Sequence, residues 1–126
     1  MRVLLDTHVF LWWLEDDARL GEQAREAIGD PECVVLISPA SAWEIGIKTA
    51  LGKIKIKTED LLRGIEENGF IELPIRIDHG LRAGALPPHH LDPFDRMLIA
   101  QAQAEELTLI THDRRIEPYD LRVLWT

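Results

Sequence analysis

Two acidic residues of this 126-residue chain stand where carboxylates could bind a metal ion. Asp6 follows the apolar run Val3–Leu5, and Asp113 follows the apolar run Leu107–Ile110. Both runs are typical of buried strands, and ligands of open α/β sheets bind beyond the carboxyl ends of the strands. Asp6 could instead serve only as the N-cap of a helix beginning at Val9, and that role is compatible with metal binding.

A third acid, Asp95, lies in the first turn of a predicted helix. Asp92 and Pro93 supply an N-cap carboxylate and a proline at the first helical position, and the helix extends to about Glu105. Asp95 shares a helical stripe with three residues that should face the core: Leu98, Ile99 and Ala102. The pattern therefore predicts an inward carboxylate, although Asp95 could also close a capping box with Asp92.

The fourth acid, Glu44, lies on a helix predicted from Ala40 to Leu51. It is at the edge of a stripe that we expect to face the core, formed by Ala40, Trp43, Ile47 and Leu51. Lys48 follows four residues later, so a surface ion pair of about 0.2–0.5 kcal/mol explains Glu44 equally well.

Four carboxylates facing one poorly solvated cleft would repel one another, and a divalent cation would relieve that cost. Carboxylate oxygens and water, without sulfur, suit Mg²⁺ or Mn²⁺. Such an ion activates water and neutralises a phosphate, which is the chemistry of phosphodiester hydrolysis.

Five strands and six helices are predicted to position these acids. The strands lie near residues 3–6, 34–37, 70–73, 107–110 and 121–125, and the helices near 9–14, 21–28, 40–51, 58–68, 75–85 and 93–105. Apolar strands alternating with helices predict a parallel sheet covered on both faces. The expected fold is a three-layer α/β/α domain over residues 1–126, with a four- to five-stranded, mainly parallel sheet.

Composition narrows the class of protein. The single cysteine, Cys33, cannot form an internal disulfide, which favours the reducing cytoplasm. We expect no membrane span, since no apolar run approaches 20 residues. The net charge of −8 argues mildly against a broad nucleic-acid surface. The run from Lys48 to Lys57 is free of acids and fits a solvated edge better than a phosphate contact.

Four motifs in order resemble PIN-domain nucleases, and most of all the VapC-type ribonuclease toxins of toxin–antitoxin pairs. These motifs are Leu4-Leu5-Asp6-Thr7-His8, Ser41-Ala42-Trp43-Glu44-Ile45, Asp92-Pro93-Phe94-Asp95-Arg96 and Leu109-Ile110-Thr111-His112-Asp113. The resemblance covers essentially the whole chain and implies a PIN-like fold.

The resemblance also implies roles for individual residues. Asp6, Glu44, Asp95 and Asp113 would be the catalytic, metal-binding acids, Asp92 remaining a helix cap. Thr7 and Thr111 would support the site through their hydroxyls. Candidate RNA contacts are Arg96, Arg114, Arg115 and the run from Lys48 to Lys57. The implied reaction is Mg²⁺- or Mn²⁺-dependent cleavage of RNA that leaves a 5′-phosphate and a 3′-hydroxyl.

A small antitoxin and a second copy of the chain are the partners that the resemblance implies. Phe10, Trp12 and Trp13 are expected to offer docking surface for one of them, with at least one of the three in the core. The RNA target, the number of ions, the dimer interface and the class of antitoxin are not readable from the sequence.

Other classes of protein fit less well. A zinc enzyme would use His8, His89, His90 or His112, but no zinc-binding motif is present, and we expect His89 and His90 to be loop residues. A receiver-like signalling domain lacks its phosphoacceptor aspartate after the third strand. A catalytically inert PIN-fold binding module remains the alternative, which the presence of all four acids disfavours.

Overall fold

The computed structural model describes residues 1–126 and contains five strands and six α-helices. In chain order they are β1 Arg2–Leu5, α1 Thr7–Glu15, α2 Glu22–Gly29, β2 Val34–Ile37, α3 Pro39–Ala50, α4 Thr58–Glu67, β3 Ile71–Glu72, α5 Ile77–Ala85, α6 Pro93–Ala104, β4 Thr108–Thr111 and β5 Val123–Trp125. A 3₁₀ turn, Arg114–Ile116, follows β4. None of the helices has the length and apolar character needed to cross a bilayer.

All five strands pair in parallel, in the order β3-β2-β1-β4-β5. In the centre, Leu4 of β1 lies opposite Leu36 of β2 and Leu109 of β4. The backbone N–H of Asp6 continues the β1–β4 ladder by donating to the carbonyl of Ile110 at 3.1 Å. The residues that follow β1 and β4 are therefore neighbours at one edge of the sheet.

Side chains of the central strand alternate between two cores, one on each face of the sheet. Val3 and Leu5 pack into a cluster with residues of α1, α2 and α4. Leu4 points the other way, into a cluster with Leu98 and Ile99 of α6. All five residues have no exposed surface, which is why β1 has no polar alternation. The three-layer α/β/α architecture with a parallel sheet is confirmed.

The predicted inward stripe of α3 is wrong by about one position. Trp43 is 67% exposed, Leu51 65% and Ile47 37%, whereas the buried residues of the helix are Ala40, Ser41, Glu44 and Ile45. Both stripes contain apolar residues, so helical spacing alone did not separate them. The polar members of the buried stripe tolerate burial because each has a partner, Thr7 for Ser41 and Lys48 for Glu44.

The expectation that at least one aromatic residue of α1 lies in the core is confirmed, and two of the three do. Phe10 is fully buried and Trp12 is 7% exposed, so these two rings belong to the core rather than to a docking surface. Trp13 is half-buried, and its indole N–H donates to Asn68 Oδ1 at 3.0 Å. A helix that is apolar almost all round is thus covered by its own chain.

Candidate metal centre

Asp6 is buried at the carboxyl end of β1, where it caps α1. Its Oδ1 accepts a hydrogen bond from the backbone N–H of Val9 at 2.8 Å, and its Oδ2 accepts one from the hydroxyl of Thr111. Burial raises the pKa of this carboxyl, and these two hydrogen bonds only partly oppose that effect. The capping role expected from the sequence is therefore present, and the other oxygen faces Thr111 at the end of β4.

Asp95 lies in the first turn of α6, facing inward as the stripe predicted. The Asp92 carboxylate accepts from the backbone N–H of Asp95 at 3.0 Å, so Asp92 is the helix cap. The carboxylate of Asp95 does not complete a capping box; its Oδ2 lies 2.8 Å from Nε2 of His90. Burial, followed by the negative charges of Asp92 and Asp6, raises the pKa of Asp95 to about 7.

Asp113 caps the 3₁₀ turn after β4. The Arg115 side chain donates to both of its oxygens, at 3.0 and 2.8 Å, and holds the pKa of Asp113 at about 2. The Asp113 backbone N–H donates to the Thr111 hydroxyl at 3.1 Å, and Asp113 Oδ2 lies 3.3 Å from His90 Nε2. Thr111 thus connects Asp113 with Asp6, and His90 connects Asp113 with Asp95.

Glu44 is buried but stands apart from these three acids. Its carboxylate pairs with Lys48 at 2.7 Å, and it makes no hydrogen bond or ion pair with the other acids. The hydroxyl of Thr7, next to Asp6, donates to Ser41 at 3.0 Å, one turn before Glu44. Thr7 therefore joins α1 to α3, whereas Thr111 is the hydroxyl that contacts an acid directly.

The arginines expected to contact RNA have different surroundings. The guanidinium of Arg96 donates to several backbone carbonyls: Ala83, Leu86, Pro87 and His90 at 2.8–3.1 Å and Gly84 at 3.4 Å. Arg115 is bound to Asp113, and Arg114 lies over the Trp125 ring at 4.2 Å from its centroid. The guanidinium N–H groups of Arg96 are thus already bonded within the fold, whereas Arg114 is exposed beside the acids.

Part of the lysine run faces an open groove beside α1. The basic residues that line it are His8, Arg19, Lys48, Lys53 and Lys55. Trp12 also borders this groove, and the Arg19 guanidinium lies 5.2 Å from its ring centroid. The groove is close to the acids, because Asp6 is two residues from His8 and Glu44 pairs with Lys48.

A family model described as "PIN domain" matches residues 3–120. The chain belongs to the PIN domain family. The resemblance drawn from the four motifs is confirmed. A comparison with curated proteins finds no significant match.

Several solved structures share the fold of this PIN domain. VapBC2 from Rickettsia felis, bound to a promoter DNA fragment, contains a chain 16% identical with a TM-score of 0.71, covering 98% of both chains. A toxin–antitoxin complex from Klebsiella pneumoniae gives 25% identity and a TM-score of 0.67, covering 97% of this chain and 95% of that one. VapBC-1 from nontypeable Haemophilus influenzae gives 21% identity and a TM-score of 0.67, covering 99% and 98%.

The donor set of this PIN domain fits a hard divalent cation. One atom each of His90, Asp95 and Asp113 lie within 4.8 Å of one another. Opposite ligands of one Mg²⁺ ion are about 4 Å apart, so small side-chain movements suffice. Asp95 has no cationic side chain of its own and its pKa is raised, so a positive charge placed here would be stabilised. Because the oxygen ligands that this cluster offers are the carboxylates of Asp95 and Asp113, it matches Mg²⁺ or Mn²⁺ better than zinc.

His90 is the residue of this cluster that the sequence analysis missed. It lies in a loop, as expected, but it is only 3% exposed and contacts two acids. In the sequence, the available signal was that His90 lies five residues before Asp95, with the helix cap Asp92 and Pro93 between them. This spacing brings the loop back over the first turn of α6.

Proposed function

We propose that this PIN domain is a divalent-metal-dependent endoribonuclease and the toxin of a toxin–antitoxin pair. The observation that carries the proposal is the meeting of Asp6, Asp95 and Asp113 at the carboxyl edge of the sheet, connected through Thr111 and His90. The raised pKa of Asp95 marks a site that lacks positive charge, as expected where a cation belongs. An inert binding module has no need for buried, mutually repelling carboxylates.

We assign the binding of Mg²⁺ or Mn²⁺ to Asp6, Asp95 and Asp113, with Glu44 completing the set. When bound, the ion lowers the pKa of water and neutralises charge on the scissile phosphate. Thr111 orients Asp6 by its hydroxyl hydrogen bond, and Arg115 keeps Asp113 ionised. Burial at the sheet edge excludes bulk water from the Thr111–Asp6 hydrogen bond and strengthens it.

RNA contacts are assigned to basic residues on two sides of the acids. Lys48, Lys53 and Lys55 line the groove beside α1, and neither Lys53 nor Lys55 makes an ion pair within the chain. Arg114 is exposed on the other side. We retain Arg96 only as a residue of the fold, since its guanidinium already donates to backbone carbonyls.

The similar structures support the proposal of an antitoxin partner. Those from Rickettsia felis, Klebsiella pneumoniae and Haemophilus influenzae are VapBC or toxin–antitoxin assemblies. We propose that residues 1–126 act as one nuclease domain in the cytoplasm, as a homodimer blocked by a small antitoxin.

Cleavage of a labelled single-stranded RNA by purified protein tests the proposal. Wild type is expected to cut with Mg²⁺ or Mn²⁺, to stop in EDTA and to leave 5′-phosphate ends. Asp6→Asn should lose the activity, whereas Asp60→Asn, which alters an exposed ion pair with Arg63, should retain it. A wild type that neither cleaves RNA nor binds Mn²⁺ in calorimetry would establish the inert alternative.

A further inference from the structure

The imidazole of His90 occupies the centre of the acid cluster. Its Nε2 lies 2.8 Å from Asp95 Oδ2 and 3.3 Å from Asp113 Oδ2. The ring is almost completely buried, so its Nε2 is directed at these two oxygens rather than at solvent. His90 Nε2 is also the one side-chain donor that Asp95 has, whereas Asp113 is held by Arg115 as well.

The hydrogen bond on the other ring nitrogen defines which tautomer faces the acids. The backbone N–H of Asp92 donates to His90 Nδ1 at 3.4 Å, so Nδ1 is an acceptor and carries no hydrogen. The ring proton is therefore on Nε2 and points at Asp95 Oδ2, with Asp113 Oδ2 beside it. A nitrogen that carries a proton cannot bind a metal ion, so in this arrangement His90 acts as a hydrogen-bond donor and the acids are the ligands.

The backbone of His90 is fixed from two sides. The hydroxyl of Tyr119 accepts from the His90 N–H at 2.9 Å and donates to the carbonyl of Pro87 at 2.6 Å. The guanidinium of Arg96 donates to the carbonyls of both Pro87 and His90. This loop is therefore held tightly enough to place one ring against two carboxylates.

We propose that His90 is a positioning residue, which turns the carboxylates of Asp95 and Asp113 toward a shared divalent cation by donating its Nε2 proton to Asp95 and packing the same nitrogen against Asp113. The inference rests on the proposed metal-dependent function. Arg96 and Tyr119 act one step further out, because they fix the loop that carries the ring. Loss of such an outer partner typically lowers metal affinity by about 10- to 100-fold.

Calorimetric titration with Mn²⁺, in the absence of RNA, tests the role of His90. His90→Leu removes the donor and should bind Mn²⁺ about 10- to 100-fold more weakly than wild type. His90→Gln places an amide N–H near the position of Nε2 and should recover most of the affinity. His89→Leu is the matched control, since the neighbouring histidine is exposed and contacts Tyr119 instead of the acids, and its Mn²⁺ affinity should equal that of wild type.

A second pair of variants keeps the test informative if His90→Leu does not fold. His90→Asn and His90→Gln are both polar, but the shorter asparagine does not reach the carboxylates, so only His90→Gln should bind Mn²⁺ well. Equal affinity of these two variants, or gain of affinity in His90→Leu, overturns the inference. If both variants bind Mn²⁺ equally weakly, Nε2 is a metal ligand and not a hydrogen-bond donor.

The outcome is separable from that of the proposed function. Mn²⁺ binding that depends on His90, in a protein that cuts no RNA, overturns the nuclease proposal and leaves the role of His90 intact. Conversely, Asp6-dependent RNA cleavage with Mn²⁺ affinity unchanged in His90→Leu overturns only the role of His90.

Discussion

Helices α3 and α6 begin alike but deliver their acids to different surroundings. Each starts with a side-chain cap, Ser38 or Asp92, followed by proline at the first helical position. Glu44 of α3 has Lys48 one turn ahead on its own helix, 2.7 Å away. Asp95 of α6 makes no ion pair with an arginine or lysine and has His90 and other carboxylates as its neighbours. The same helix-start pattern thus gives one acid that is neutralised within the chain and one that requires a cation from outside.

The comparison also shows which electrostatic effect dominates at Asp95. The N-terminus of α6 favours a negative charge, by about 0.3–1 kcal/mol and at most about 2 kcal/mol. Burial and the charges of Asp92 and Asp6 oppose it and prevail, because the pKa of Asp95 rises to about 7. Asp113, whose Oδ2 is bound by the same imidazole, has a pKa of about 2 because Arg115 donates to it. The Arg115 guanidinium and the shallower burial of Asp113 together give the two acids pKa shifts of opposite direction.

The largest expected effect distinguishes the acids of the two helices. Asp95→Asn should lower RNA cleavage at least about 100-fold, since a metal ion contributes several kcal/mol to transition-state stabilisation. Glu44→Gln should lower it only about 10-fold, because Lys48 already balances the Glu44 charge. Single-turnover rates at saturating Mn²⁺ measure both. Equal losses would contradict this distinction, because Glu44 would then contribute to metal binding as much as Asp95.

A smaller effect concerns the stability of the metal-free protein. The pKa of Asp95 is about 7 in the folded chain and about 3.8 when unfolded, so the folded state binds more protons between these values. Its contribution to stability is present below about pH 4 and is lost as the pH rises toward 7. The melting temperature in EDTA should therefore fall from pH 4 to pH 7. Added Mn²⁺ should raise the melting temperature more at pH 7 than at pH 5.

Asp95→Asn isolates this contribution from the other groups that face it, Asp6, Asp92 and His90. The variant should show a flatter dependence of melting temperature on pH. A residual fall is expected, since burial also raises the pKa of Asp6. Asp113 does not contribute in this range, because its pKa lies near 2. An unchanged slope in Asp95→Asn would contradict the assignment.

Much of this arrangement could be predicted from the sequence, because its signals are local. The apolar runs at Val3–Leu5 and Val34–Ile37 were typical of buried strands, and Asp92-Pro93 indicated the start of α6. Once the strands were known to be parallel, Asp6 and the residues after β4 had to meet at one edge. The orientation of Asp95 followed from its stripe with Leu98 and Ile99.

What the sequence did not predict depends on contacts between distant segments. His90 becomes part of the cluster because Tyr119, 29 residues away, and Arg96 hold its loop in place. Arg96 was expected to contact RNA, yet its guanidinium donates to carbonyls at the end of α5. Which face of α3 is exposed depended on a hydrogen-bond partner for Ser41. That partner, Thr7, lies 34 residues earlier in the chain.

The smallest expected effect tests the corrected orientation of α3. Trp43 is 67% exposed, and its main aromatic contact is an edge-to-face arrangement with Phe94 of α6, with centroids 5.3 Å apart. Trp43→Ala should therefore lower the free energy of unfolding by only about 1 kcal/mol. Ile45→Ala, on the buried face, should lower it by about 2–5 kcal/mol. Urea denaturation of both variants measures the difference. A larger loss in Trp43→Ala than in Ile45→Ala would mean that the stripe first expected from the sequence faces the core, and Glu44 would then lie at its edge rather than beside Thr7 and Ser41.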